Sequence, residues 1–220
     1  FESPLRRSPL PKLYGANAYP YVRTVRVVLA HKNVDYEHDP VVPFGVSDEY
    51  KKKSPLGKIP CFEDGDLVLP DSSVISAYLE DIHPTPALYP KDPGQRARAL
   101  WYEEHADTRI VEATAGVFFQ RFVRPTFFKQ DPDEEIVEQA LTVKLPIVLD
   151  YLTEMLDGGD FLIGDQMTTA DIATASPFVN LELAGETIDA GRHPEAAAYI
   201  ERVHAQPAFK GIKEAEMTRS

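Results

Sequence analysis

The Ile59-Pro60 bond restricts this chain more than any other feature. Pro60 stands directly before the apolar run Cys61-Phe62. A proline cannot donate to a sheet ladder, so it belongs at the first position of a strand. The stretch Ser54-Pro55-Leu56-Gly57-Lys58-Ile59-Pro60 therefore reads as a loop feeding a strand over Cys61–Asp64. A second short strand, Leu67–Leu69, returns around Asp64-Gly65-Asp66. An X-Pro bond is also where a cis peptide costs only about 0.5–1 kcal/mol. A cis bond here would turn the Ile59 backbone sideways and leave its N–H and C=O free of the sheet. Shortly after, Asp71-Ser72 opens an apolar-periodic helix over Val74–Ile82. A helix start with open N–H groups and a hydroxyl attracts carboxylates. Loop and helix start together describe a slot for an extended, peptide-like ligand with a free carboxylate and an amine.

Upstream, Lys12–Gly15 reads as a strand and Asn17–Pro20 as a loop. Val22–Lys32 reads as an amphipathic helix with Val22, Val25, Leu29 and Ala30 on one face and Arg23 and Arg26 off it. Tyr36–Asp39 completes a strand–helix–strand unit, followed by a polar loop up to the central motif. His83-Pro84-Thr85-Pro86 closes the unit, because proline disfavours helix at the residue before it. Beyond Pro93 the periodicity becomes helical: one helix from Ala97 to a stop at Arg124-Pro125, and a second from Val137 to Gly158-Gly159 with a kink at Pro146. A third begins at Thr168-Thr169-Ala170-Asp171, close to a capping box, and passes Pro177. A fourth starts at Pro194 and a short last one at Pro207.

The motif S-P-L-G-K-I-P, a hairpin, and D-S at a helix start resembles the glutathione-binding half of the cytosolic glutathione transferases. F-L-I-G-D-Q-M-T-T-A-D-I-A at 161–173 and H-P-E-A-A-A-Y-I-E-R-V-H-A-Q-P-A-F at 193–209 are similar to that family's helical half, so the likeness spans roughly residues 12–212. It implies an α/β plus all-α chain, a thioredoxin-like N-terminal domain followed by an all-helical C-terminal domain. The expected division is an extension at 1–11, a glutathione-binding domain at 12–82, a linker at 83–92 and a helical domain at 93–220. It further implies glutathione as cosubstrate with no metal, a small electrophile as second substrate, a homodimer and a cytoplasmic location. By the same resemblance Ile59 and Pro60 hold the cysteinyl backbone of glutathione, and Asp71 and Ser72 its γ-glutamyl amine and carboxylate. Many relatives carry Glu or Gln where Asp71 stands. Lys58 is a candidate partner for the glycyl carboxylate.

Composition narrows the remaining classes. A net charge of −12 argues against nucleic acid, which needs a basic face, while leaving room for a local basic pocket. A single cysteine, Cys61, rules out an internal disulfide framework and suits a reducing compartment. It follows a proline in an apolar strand and reads as buried. No apolar run reaches membrane-spanning length, and the first eleven residues lack a signal-peptide core. The six histidines, at 31, 38, 83, 105, 193 and 204, show no metal-ligand spacing.

A free thiol has a pKa of about 8.5, and lowering it by about two units takes roughly 2–3 kcal/mol. One hydrogen bond to a charged group supplies about 1.5–3 kcal/mol, and a helix N-terminus up to about 2. One hydroxyl at a helix start is therefore enough. In the family's Ser- and Cys-type members the reactive residue matches Tyr19 here; in its Tyr-type members the hydroxyl comes from near Tyr14. This chain departs from both, having no Ser, Thr or Cys between Tyr14 and Arg23. Tyr19 leads as the catalytic candidate, with Asn17 and Tyr14 as alternatives. The missing cysteine counts against reduction through a mixed disulfide. Phe118, Phe119, Phe122, Phe127 and Phe128 are candidates for an apolar electrophile pocket, with helical core the simpler reading of the first three. Conjugation is the expected reaction, beside dehalogenation, ether cleavage, isomerisation and peroxide reduction. A non-catalytic binding or scaffold relative is the alternative that the irregular Ala16–Tyr19 turn supports.

Overall fold

Strand β1 (Lys12–Tyr14) runs parallel to β2 (Glu37–Asp39), with Leu13 opposite His38, and the crossover between them is helix α1 (Pro20–His31). Parallel neighbours need such a crossover, and α1 covers one face of the sheet. Strand β3 (Cys61–Asp64) pairs antiparallel with β1, and β4 (Leu67–Leu69) antiparallel with β3, giving the order β2-β1-β3-β4. Helix α3 (Ser72–Ile82) closes this thioredoxin-like unit. The computed structural model describes residues 10–218. All of the expected 1–11 extension except Leu10 and Pro11 lies outside the described residues.

The polar loop after β2 contains a short helix that periodicity did not disclose, α2 (Asp48–Lys53). Its sequence DEYKKK buries only Tyr50, so no apolar stripe marks it; Ser47 caps it by accepting from the Tyr50 N–H.

The rest of the chain is helical: α4 (Pro93–His105), α5 (Val111–Phe118), α6 (Glu134–Gln139), α7 (Leu145–Leu156), α8 (Thr169–Leu183), α9 (Pro194–His204) and α10 (Pro207–Met217). Three π-helical segments, Ala106–Ile110, Phe119–Phe128 and Ala140–Lys144, run on from α4, α5 and α6. The expected stop at Arg124-Pro125 is therefore corrected. The helix continues through Pro125 and ends at Lys129, whose φ is 54°. A mid-helix proline clashes with the carbonyl four residues back, and the wider i→i+5 turn relieves that contact. Pro146 lies just past the π-helical segment Ala140–Lys144, inside one continuous helical run in which Lys144 and Leu145 are both right-handed helical. It removes one backbone bond there, and the wider turn before it accommodates its ring.

Helix α8 is buried from Thr169 to Leu181 and forms the core of the helical half. The capping box at its start is present: Asp171 accepts from the Thr168 N–H and hydroxyl, the Leu162 N–H and the Tyr199 hydroxyl at 2.7–2.9 Å. Arg23 and Arg26, off the apolar stripe of α1, are buried as well because α8 and α10 pack against that side. The Arg23 guanidinium donates to Glu216 Oε2 (2.6 and 2.8 Å), Asn180 Oδ1 (2.7 Å) and the Ser176 carbonyl (2.5 Å). Arg26 donates to the other Glu216 oxygen. A buried ion pair thus ties the first helix to the last.

Candidate active site

The turn between β1 and α1 is shaped by Gly15, whose φ of 148° suits glycine; a methyl group there would come within 2.4 Å of Val22 and 3.4 Å of the Ile59 Cβ. The turn therefore lies against Ile59. The Ile59-Pro60 bond is cis. Ladder pairing begins one residue later, with Tyr14 opposite Cys61, so Ile59 stays outside the sheet. The Lys58 carbonyl is fixed by the Tyr50 and Ser54 hydroxyls at 2.9 and 2.8 Å, while the residue itself is exposed. Cys61 is fully buried, and burial pushes its thiol up to about 11, out of the reactive range.

The three candidate catalytic side chains go to different places. Tyr14 turns away: its hydroxyl donates to Glu63 Oε2 at 2.9 Å, an oxygen also held by Lys53. Tyr19 occupies the N-cap position of α1, with extended φ/ψ of −101° and 124°, directly before Pro20. Among the described residues nothing hydrogen-bonds its hydroxyl, and burial raises its pKa, so it stays protonated and able to donate. The Asn17 amide oxygen is buried and has no partner in the structure. Asn180 holds the turn by donating its amide to the Ala18 carbonyl at 2.9 Å.

From Tyr19 a chain of contacts reaches the start of α3. The Tyr19 and Tyr21 rings lie 5.5 Å apart, the Tyr21 hydroxyl donates to the Asp107 carbonyl (2.6 Å), and the Ser73 hydroxyl donates to Asp107 Oδ2 (3.4 Å). Asp71 caps α3 by accepting from the Val74 N–H at 3.0 Å, and Ser72 beside it is buried. Asp107 is a site group the sequence did not disclose, since a single acid inside a helical run carries no signal of what it faces. Burial first, then the charges of Glu103, Glu104 and Asp71, push its carboxyl up to about 8. Glu103 is likewise pushed up by burial, and its Oε1 has no partner.

Beside Tyr19 opens a cavity of about 300 Å³. Ala18 and Tyr19 form one wall, Val42, Pro43 and Phe44 of the β2–α2 loop a second, and Phe118, Phe119, Phe122 and Phe127 a third. The first three aromatics thus face a cavity, where helical core was the simpler expectation. Phe128 lies outside the wall and packs on Phe44 and Phe119. A wider cleft of about 630 Å³ between α8, α9 and α10 contains none of the candidate residues. Among the described residues no cluster of three metal-ligating side chains occurs, and no helix is long and apolar enough to cross a membrane.

Comparison with known proteins finds relatives over most of the chain. The domain family described as glutathione S-transferase, N-terminal domain, matches residues 13–87, and its C-terminal counterpart matches residues 117–214. Glutathione S-transferase F13 of Arabidopsis thaliana is 32% identical over 208 residues, covering 90% of this chain and 92% of that protein. A glutathione S-transferase of Triticum aestivum is 30% identical over 205 residues, covering 91% of each. The crystal structure of glutathione transferase F7 from Populus trichocarpa superposes with a TM-score of 0.82 at 28% identity, over 93% of this chain and 98% of that one.

Proposed function

The chain belongs to the glutathione S-transferase family, and from that premise we propose that it ionises the glutathione thiol at the start of α1 for attack on an apolar electrophile. The observation carrying this reading is Tyr19, its hydroxyl unpartnered, at the N-terminus of a helix and among the residues lining an aromatic cavity. A thiolate seated there accepts the Tyr19 O–H and meets the positive end of α1. The thiol proton passes to solvent, and the sulfur then forms a bond to the electrophilic carbon. The displaced bonding pair leaves with the departing group or, at an isothiocyanate, moves onto the nitrogen, which takes up a proton. The cavity wall carries no charged side chain, which favours an uncharged, aromatic second substrate.

In this reading residues 12–82 hold glutathione, 83–92 link, and 93–220 supply most of the electrophile wall. Ile59 meets the cysteinyl backbone, Lys58 the glycyl carboxylate, and Ser72 with the first N–H groups of α3 the γ-glutamyl carboxylate. Asp71 and Asp107 face the ammonium. A cytoplasmic homodimer completes the proposal; the exposed Val74, Leu100 and Trp101 on α3 and α4 offer an apolar surface for a second copy.

Asp71→Ala and Ser72→Ala each weaken glutathione binding by about 1–3 kcal/mol, read by titration calorimetry. Asp71→Asn separates the roles, keeping the α3 cap while removing the charge. Unchanged affinity in all three variants sinks the site. The thiol is tested by following thiolate absorbance of bound glutathione against pH. In wild type its pKa falls well below about 8.5; Tyr19→Phe raises it by about 1–2 units while binding persists, the equivalent of one hydrogen bond to a charged sulfur. A pKa lowered equally in both proteins moves the role to Asn17, whose Nδ2 can donate to a thiolate, to Tyr14 or to the N-terminus of α1 itself. Binding without any shift overturns thiol activation altogether.

A further inference from the structure

At the cavity's edge the β2–α2 loop touches the helix opposite through a ring just outside the lining. Phe44, on the β2–α2 loop, meets Phe128 at a centroid distance of 5.7 Å and an interplanar angle of 71°, and Phe128 in turn meets Phe119 at 6.2 Å. Edge-to-face aromatic pairs at such distances attract. Yet Phe44 and Phe128 stay 46% and 45% exposed, so the contact lies at the cavity's rim.

Two local features distinguish the two sides of this rim. The loop's last backbone bond on the β2 side is from the Val41 N–H to Asp39, and its next is from Lys51 to Ser47. Among the described residues no backbone hydrogen bond holds positions 42–46. Gly45 within that span has φ 67° and open space around its α-carbon. The opposite jaw belongs to a continuous helix in π-register. Two turns of α-helix advance about seven residues, which would bring Thr126 over Phe119. Two i→i+5 turns advance about nine, which brings Phe128 over Phe119 and Phe127 over Phe118. The π-helical stretch thus presents Phe127 to the cavity and Phe128 to the loop.

We propose that Phe44 and Phe128 form an aromatic clasp that gates the cavity and sets the size of aromatic compound that enters it without opening the loop. This deepens the reading of the cavity as the electrophile site and rests on it, but the clasp is testable without thiol chemistry. Compounds that fit within about 300 Å³ are enclosed beneath the closed pair. Larger ones hold the loop open and lose enclosure. Phe44 and Phe128 act here as specificity-determining residues and touch no reacting atom.

The test is stopped-flow binding of the uncharged fluorophore N-phenyl-1-naphthylamine to the full chain without glutathione. Phe44→Ala and Phe128→Ala each speed association and dissociation together by at least fivefold. The double variant goes no further than either single change, because both remove one contact. Phe44→Leu, which keeps an apolar side chain without a ring, gives an intermediate rate and guards against a loop that simply misfolds. Unchanged rates in both alanine variants, or effects that multiply in the double variant, overturn the clasp. The same proteins are then assayed for conjugation of glutathione with benzyl isothiocyanate and its larger naphthylmethyl analogue. Altered probe kinetics with no conjugation in wild type leave the clasp standing and overturn the transferase reading. Conjugation whose preference between the two electrophiles is identical in wild type and both alanine variants overturns the clasp and leaves the transferase reading intact.

Discussion

Replacing Arg23 with alanine lowers the folding stability of the chain by about 3–5 kcal/mol, the usual cost of removing one partner from a buried ion pair. The guanidinium is fully buried and donates to Glu216, Asn180 and the Ser176 carbonyl. Glu216 keeps Arg26, but the Asn180 oxygen and the Ser176 carbonyl lose a charged donor in a place water does not reach. The loss extends to chemistry, because Asn180 also holds the Ala18 carbonyl in the turn before Tyr19. Urea denaturation of both proteins reads the stability, and thiolate titration reads the turn. A loss below about 1 kcal/mol would show that the buried network contributes little to holding α1 against α8 and α10.

Asp107→Asn gives the second large effect, one that depends on pH. The Asp107 carboxyl is pushed up to about 8 by burial and by Glu103, Glu104 and Asp71, with Ser73 donating to it from α3 and Tyr21 reaching its carbonyl from α1. The folded chain therefore holds a proton between about pH 4 and pH 8 that the unfolded chain has released. Stability falls as pH rises through that window and levels off above it. Allowing for the solvent that reaches a half-buried group, wild type loses on the order of 2–4 kcal/mol relative to Asp107→Asn between pH 5 and pH 9. Urea melts of both proteins at the two pH values check this, and parallel losses would refute it. In the proposed site an ammonium bound between Asp71 and Asp107 would supply the missing positive charge, so saturating glutathione is expected to flatten the wild-type curve toward that of the variant.

How much of this was legible in the sequence depended on whether the signal was local. Pro60 before an apolar run, Asp71 before a helix, and Thr168 with Asp171 each act on backbone within four residues, and the structure places all of them in the expected settings. Helix α2 was hidden because it buries one residue and shows no stripe. The π-segments were hidden because a search for apolar residues three and four apart assumes the register it tests. Pro125 misled for the same reason, being a stop in an α-helix and tolerated in a wider one. Asp107 and the Phe44–Phe128 pair were out of reach, since each depends on residues brought together from distant parts of the chain. Tyr14, Asn17 and Tyr19 could be named but not separated: one hydroxyl meets Glu63, one amide oxygen is orphaned, and one side chain lines the cavity.

The helix through Phe119–Phe128 also changes what counts as a small alteration in this protein. Each of its turns carries one residue more than the α-helical turns before it. Removing Pro125, the one residue there that requires the wider turn, would let the segment tighten without breaking its axial path. Phe127 and Phe128 would then swing off the cavity and the loop, with every aromatic side chain still in the sequence. On the proposed reading of the cavity, chain length in this stretch is a second code for substrate choice, written beside residue identity, and one deletion rewrites the pocket where several substitutions would only resize it.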